Sequence, residues 1–167
     1  MKINNITLIG MPASGKSVRG KLLAEKLSFK FIDGDDYIEK RERMKLQQII
    51  DKKGDEGFLK IEEKRILELL PLKKYVLAPG GSVIYSKKFM EVLKKSSLVI
   101  FLNTPLKVIE KRLKNKATRG IVGLKPKSIQ ELYKERLPLY KKYADITINC
   151  FQKSNNEIIQ EITNKIK

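Results

Sequence analysis

The sequence predicts an α/β domain, a parallel sheet held between two layers of helices, and three observations lead to it. Short apolar runs alternate with segments of helical period from end to end, the pattern of strands joined by crossover helices. At 167 residues the chain holds one core of this kind, since domains run to roughly 100 to 200 residues. Hydrophobic residues make up 41% and charged residues 33%, a balance that excludes disordered and low-complexity chains and supplies the apolar surface a sheet buried on both faces requires.

Taken in order, residues 6–9 read as a buried first strand entering a glycine-rich turn. Residues 16–27 follow as a helix with Val18, Leu22, Leu23 and Leu27 at helical spacing. A second strand, residues 29–32, ends at Asp33, Asp35 and Asp36, and helical character resumes through Tyr37, Ile38, Leu46, Ile49 and Ile50. Beyond Gly54 an amphipathic helix carries Phe58, Ile61, Ile66, Leu69 and Leu70 until Pro71 stops it. Residues 75–78 form the third strand, and Pro79, Gly80, Gly81 and Ser82 a second glycine turn. Residues 87–94 form a helix, and 98–102 the most continuous apolar strand. Thr104 and Pro105 open the next helix as a cap and a first-turn proline. From 114 to 126 the apolar period vanishes and basic residues mix with Gly120, Gly123 and Pro126. A loop of this length predicts a mobile lid, with the two glycines as its hinges. Helical spacing returns over 129–140, residues 146–148 make a fifth strand, and Ile158, Ile159, Ile162 and Ile166 stripe a closing helix. Neither a repeat nor a linker interrupts this order, so residues 1–167 are expected to form one domain.

Lysine and arginine number 36 against 19 acids, a formal charge of +17, which points to anionic partners such as nucleotides or phosphorylated metabolites. There is no histidine, so proton transfer falls to a carboxylate, a lysine, a tyrosine or metal-bound water, and Cys/His zinc sites are excluded. Cys150 stands alone, so no internal disulfide forms, and it reads as a small apolar residue of a late strand. A leader pattern and a membrane-length apolar run are both missing, which predicts a cytoplasmic chain with no membrane partner.

Gly10-Met11-Pro12-Ala13-Ser14-Gly15-Lys16-Ser17 matches G-x-x-x-x-G-K-[ST] at every required position, between a strand and a helix. In such a P-loop the backbone N–H groups and the helix N-terminus face a phosphate chain. Lys16 is placed to reach the β and γ phosphates, and the Ser17 hydroxyl to hold Mg2+. A guanine-reading N-K-x-D motif is absent, and acids after the second strand with an arginine in the lid fit an ATP-dependent kinase for a small acceptor.

These segments resemble the shikimate kinase family over essentially the whole chain. The carriers are the P-loop, Asp33-Gly34-Asp35, Gly54-Asp55-Glu56-Gly57-Phe58, Gly80-Gly81, Arg119, and Arg136-Leu137-Pro138-Leu139-Tyr140. The resemblance implies a nucleoside-monophosphate-kinase-like, three-layer P-loop fold with a five-stranded parallel sheet. It implies transfer of the γ-phosphoryl of ATP, with Mg2+, to the 3-hydroxyl of shikimate. By position it makes Lys16, Asp35 and Arg119 catalytic, and it makes Gly10, Ala13, Ser14, Gly15, Lys16, Ser17, Val18 and Arg112 the nucleotide site, Arg112 lying over adenine. Asp35, Gly80, Gly81 and Arg136 then hold the acceptor, Arg136 taking its carboxylate, and Ser17 with Asp33 the metal. The segment from about 34 to 70 becomes the acceptor side, and a monomer is expected. Two positions depart from the family pattern. Leu59 and Lys60 follow Phe58 where the family places a carboxylate-binding arginine directly after the phenylalanine, and Pro79 stands in the glycine turn. Two alternatives accompany this reading: a kinase for another small hydroxy acid or amino alcohol, gluconate- or homoserine-like, and a nucleic-acid-binding P-loop protein. The second is disfavoured by scattered lysine pairs and by an aromatic content of 7% without tryptophan.

Overall fold

The structure is a computed structural model that describes residues 4–114, 120–124 and 127–167. Five strands, β1 (Asn5–Ile9), β2 (Lys30–Asp33), β3 (Tyr75–Ala78), β4 (Leu98–Asn103) and β5 (Ile146–Asn149), pair in parallel in the order β2-β3-β1-β4-β5. Ile6 sits opposite Val76 on one side and Leu98 on the other. Helices α1 (Lys16–Leu27), α2 (Gly34–Glu42), α3 (Leu46–Leu67), α4 (Lys87–Ser96), α5 (Leu106–Lys114), α6 (Ile129–Tyr143) and α7 (Asn155–Lys165) make the connections.

Strand alternation sorts the core into two layers. Ile6, Leu8, Val76, Ile100 and Leu102 pack with Leu23 and Ala24 of α1 and Ile158 and Ile162 of α7. The neighbouring positions Tyr75, Leu77, Val99 and Phe101 face Ile66, Phe89, Leu93 and Tyr140, from α3, α4 and α6. Each central strand is buried on both faces, which explains its unbroken apolar run. A third cluster, Ile38, Leu46, Ile49 and Phe58 of α2 and α3, closes over Val122. Because every strand is parallel, the C-terminal ends of β1, β2 and β3 deliver the P-loop, Asp33 and the glycine turn to one edge of the sheet. A ligand crevice forms there in open α/β sheets.

Three local expectations need correction. The α1 helix buries Leu23 and packs Leu22 and Leu27 against the core as the spacing predicts, but Val18 is 55% exposed, and Arg19, Gly20 and Ala24 are buried as well. The turn before Val18 is occupied by the P-loop, so the core begins later on the helix. The helical region after β2 breaks at Arg43, which takes φ 54 and caps α2, whereas α3 continues through a kink at Gly54 (φ 70). Phe29 precedes β2 rather than opening it.

Candidate active site

The P-loop is held by its own side chains and by donors from elsewhere in the fold. Gly15 takes φ 90, a left-handed conformation that costs glycine little. Lys16 is 9% exposed, and its Nζ donates to the carbonyls of Gly10 (2.8 Å) and Met11 (3.0 Å). Burial lowers its pKa to about 8, with Asp35 the main charge acting the other way. Arg112 Nη1 donates to the Ala13 carbonyl at 2.9 Å, which brings the end of α5 against the loop.

Across the cleft mouth Ser17 Oγ donates to Asp33 Oδ2 at 2.6 Å. The other Asp33 oxygen caps α2, accepting from the N–H groups of Asp35 (3.1 Å) and Asp36 (3.3 Å). The hydroxyl and carboxylate are therefore fixed side by side, an all-oxygen pair of the kind a hard Mg2+ takes. Among the described residues no cluster of three or more His, Cys, Asp or Glu could hold a metal alone. The pair thus suits an ion that arrives with phosphate oxygens, as P-loop sites use it.

Another wall of the cleft is built on the bare backbone of the second glycine turn. A Cβ on Gly80 would lie 2.6 Å from Glu62 Oε1 and 3.1 Å from Asp35 Oδ1, and one on Gly81 3.0 Å from Arg136 Nη1. Only glycines let two carboxylates and a guanidinium come this close to the turn. Arg136 is 1% exposed; it donates through Nε to the Tyr85 hydroxyl (3.0 Å) and through Nη2 to the Val122 carbonyl (2.6 Å). No Asp or Glu pairs with it among the described residues. Tyr140 donates to the Gly81 carbonyl at 2.6 Å, and burial raises its pKa.

Sequence reasoning missed Glu62. It is 1% exposed, Oε2 accepts from Ser82 Oγ at 2.8 Å, and Oε1 has no hydrogen-bond partner. Desolvation pushes its pKa up to about 7, helped by Asp35 and opposed by Ser82, Arg136 and Lys16. The signal was present in the sequence, because Phe58, Glu62 and Ile66 follow at intervals of four and place a carboxylate on the buried face of α3. Leu59, partly buried, packs on the Ile38, Leu46, Ile49, Phe58 and Val122 cluster, while Lys60 is exposed.

One cleft of about 980 Å³ is lined by the P-loop together with Asp33, Asp35, Gly80, Gly81, Arg112 and Arg136. Ala13, Ser14, Gly15, Lys16, Ser17 and Val18 all line it, so the exposed Val18 belongs to the cleft rather than to the core. Gly10 is not among the lining residues and meets the site through its carbonyl, which accepts from Lys16. Arg119 lies outside the described residues.

The sequence model of one family, described as Shikimate kinase, matches residues 12–167. The chain belongs to the shikimate kinase family. Family members from Persephonella marina and Sulfurihydrogenibium sp. are 38% and 37% identical to it over 165 residues, the alignments covering 99% of this chain and 100% and 99% of theirs. Among solved structures, shikimate kinase from Acinetobacter baumannii in complex with shikimate is 32% identical with a TM-score of 0.86, covering 99% of this chain and 97% of that one. A gluconokinase from Sinorhizobium meliloti shares the fold alone, at 19% identity and a TM-score of 0.60.

Proposed function

We propose that this chain transfers the γ-phosphoryl group of ATP to the 3-hydroxyl of shikimate. Family membership supports the reaction. The observation that carries the acceptor class is Arg136, a buried guanidinium with no carboxylate partner among the described residues, opening on the same cleft as the P-loop. A charge in that position suits a planar carboxylate, which a guanidinium binds through parallel hydrogen bonds. In this reading Asp35 orients the attacking hydroxyl and accepts its proton as the new O–P bond forms, and the bond from the γ-phosphorus to the bridging oxygen breaks to release ADP. Lys16 and the loop amides balance charge on the phosphate oxygens, and Ser17 with Asp33 would hold the Mg2+ that neutralises charge between the β and γ groups. Arg119 is assigned to the transferring phosphate and Arg112 to the adenine end. Residues 34–70 form the acceptor side and 114–126 the lid.

The environment of Leu59 favours a second reading, a kinase for a related acceptor. An apolar side chain packed in a cluster supplies no second cation for a carboxylate. A coupled assay of ADP release over shikimate, gluconate, homoserine and nucleoside monophosphates decides between the two. Turnover with shikimate at the highest kcat/KM is expected; a higher value for another alcohol assigns the chain to that acceptor.

A further inference from the structure

The buried face of α1 holds a charge that the roles above leave unused. Arg19 is 3% exposed, yet among the described residues no Asp or Glu forms an ion pair with it. Among the titratable groups that act on it, the buried Cys150 thiol comes first and Arg112, of the same sign, second, and neither is a carboxylate. A buried guanidinium without a counter-ion is costly. What this one does is hold two parts of the nucleotide cleft. Its Nη1 donates to the Ser14 carbonyl at 2.6 Å, and its Nε to Asn155 Oδ1, at the start of α7, at 3.2 Å. Thr104 Oγ1, from the end of β4, donates to the same Ser14 carbonyl at 3.1 Å.

Across a planar trans peptide the C=O and the following N–H point in opposite directions. Two donors that draw the Ser14 oxygen towards α1 and β4 therefore turn the Gly15 N–H the other way. The guanidinium packs so closely on Gly15 that a Cβ there would lie 2.9 Å from Nη1. An apolar side chain at position 19 has no donor with which to hold the carbonyl.

We propose that Arg19 is a positioning residue of the phosphate cradle: held by Asn155, it fixes the Ser14–Gly15 peptide so that the Gly15 amide faces the bound polyphosphate. A polyanion in the cradle also supplies the counter-charge that Arg19 lacks, so ligand-free and loaded protein should respond oppositely to its removal. This rests on the reading of the P-loop as a nucleotide site.

The test uses Arg19→Met, which keeps the bulk without the donors, and Arg19→Lys, which keeps the charge but cannot make both bonds. Calorimetric titration with Mg2+ and inorganic tripolyphosphate, and separately with ATP, should show about a tenfold loss for Arg19→Met with both ligands and a smaller loss for Arg19→Lys. The KM for ATP should rise while that for shikimate stays unchanged, a split that a general loss of stability would not produce. An Arg19→Met protein that binds tripolyphosphate as tightly as the wild type overturns the proposal, whatever its Tm. Should that variant not fold, Thr104→Val removes the other donor to the same carbonyl; wild-type tripolyphosphate affinity in both Thr104→Val and Arg19→Lys overturns it equally. Wild-type protein that binds neither ligand defeats the nucleotide reading itself, a separate outcome.

Discussion

Glu62 and Lys16 carry opposite charges into the same buried space, and each shifts towards its neutral form. The Glu62 carboxyl stays protonated up to about pH 7 in the folded chain, whereas in the unfolded chain it ionises near its ordinary value of about 4.3. In that window the folded state holds the extra proton. The stability contributed by protonated Glu62 is fully present below the window and is lost as pH rises through it, by about 1.4 kcal/mol per pH unit. Lys16, lowered to about 8, acts in the other direction. Between about 8 and the ordinary lysine value of about 10.4 the unfolded chain holds the extra proton, so stability recovers as pH rises. Urea unfolding of ligand-free protein should show the first slope between pH 5 and 7, and Glu62→Gln should flatten it. A slope unchanged in that variant would place the titrating group elsewhere. Leu59 tests the acceptor at the same scale. An arginine there offers a second charge-assisted bond worth roughly 1.5 to 3 kcal/mol, so Leu59→Arg should lower the KM for shikimate about tenfold or more. A higher KM would mean that the apolar packing of Leu59 itself shapes the site.

Segment 120–124 joins the α2 and α3 cluster to Arg136 of α6. Val122 is buried at 6% in the cluster of α2 and α3 while its carbonyl accepts from Arg136, and the Gly123 N–H donates to Asp55 Oδ2 at 3.0 Å. Gly123 takes φ 76, as a turning glycine should, but Gly120 is required for a different reason: a Cβ there would lie 2.8 Å from the Gln47 nitrogen at the start of α3. Its backbone packs directly on another backbone, which cannot yield as a flexible side chain would. Gly120→Ala should therefore push the segment off α3 and disturb the Val122 contact to Arg136. Positioning errors of this size near a reacting centre cost on the order of 10- to 100-fold. A kcat reduced by about tenfold or more, with ATP affinity unchanged by titration, is the expected result, and unaltered kcat would show that the close approach is dispensable.

Over the whole molecule the formal charge is +17, and the cleft gathers Lys16, Arg19, Arg112 and Arg136 beside Asp33, Asp35 and Glu110. Both expected substrates are anions, so the field should speed their encounter, and salt should screen it over a Debye length of about 8 Å at physiological strength. Raising ionic strength at constant free Mg2+ should lower kcat/KM for ATP and for the acceptor while kcat holds. Values independent of salt would reduce the lysine excess to a solvated surface. Among the described residues no helix is long and apolar enough to cross a membrane.

Local rules determined most of what the sequence by itself decides here. The five strands, the crossover helices and the P-loop are each written in neighbouring residues, because strand period, helix period and a glycine turn are properties of short segments. Asp33 and Asp35 were legible for the same reason, standing at a strand end. Of the α1 stripe only Val18 falls outside the core, because the P-loop, not the helix period, decides where the helix enters it. Arg19 and Gly120 are residues that tertiary structure alone explains, and Glu62, whose helical spacing already marks a buried position, owes its unpaired oxygen and raised pKa to its surroundings. Their partners are Asn155, the backbone at Leu46 and Gln47, and Ser82, all remote in sequence. A charge becomes costly, and a glycine indispensable, only when distant parts of the chain exclude water and close around it.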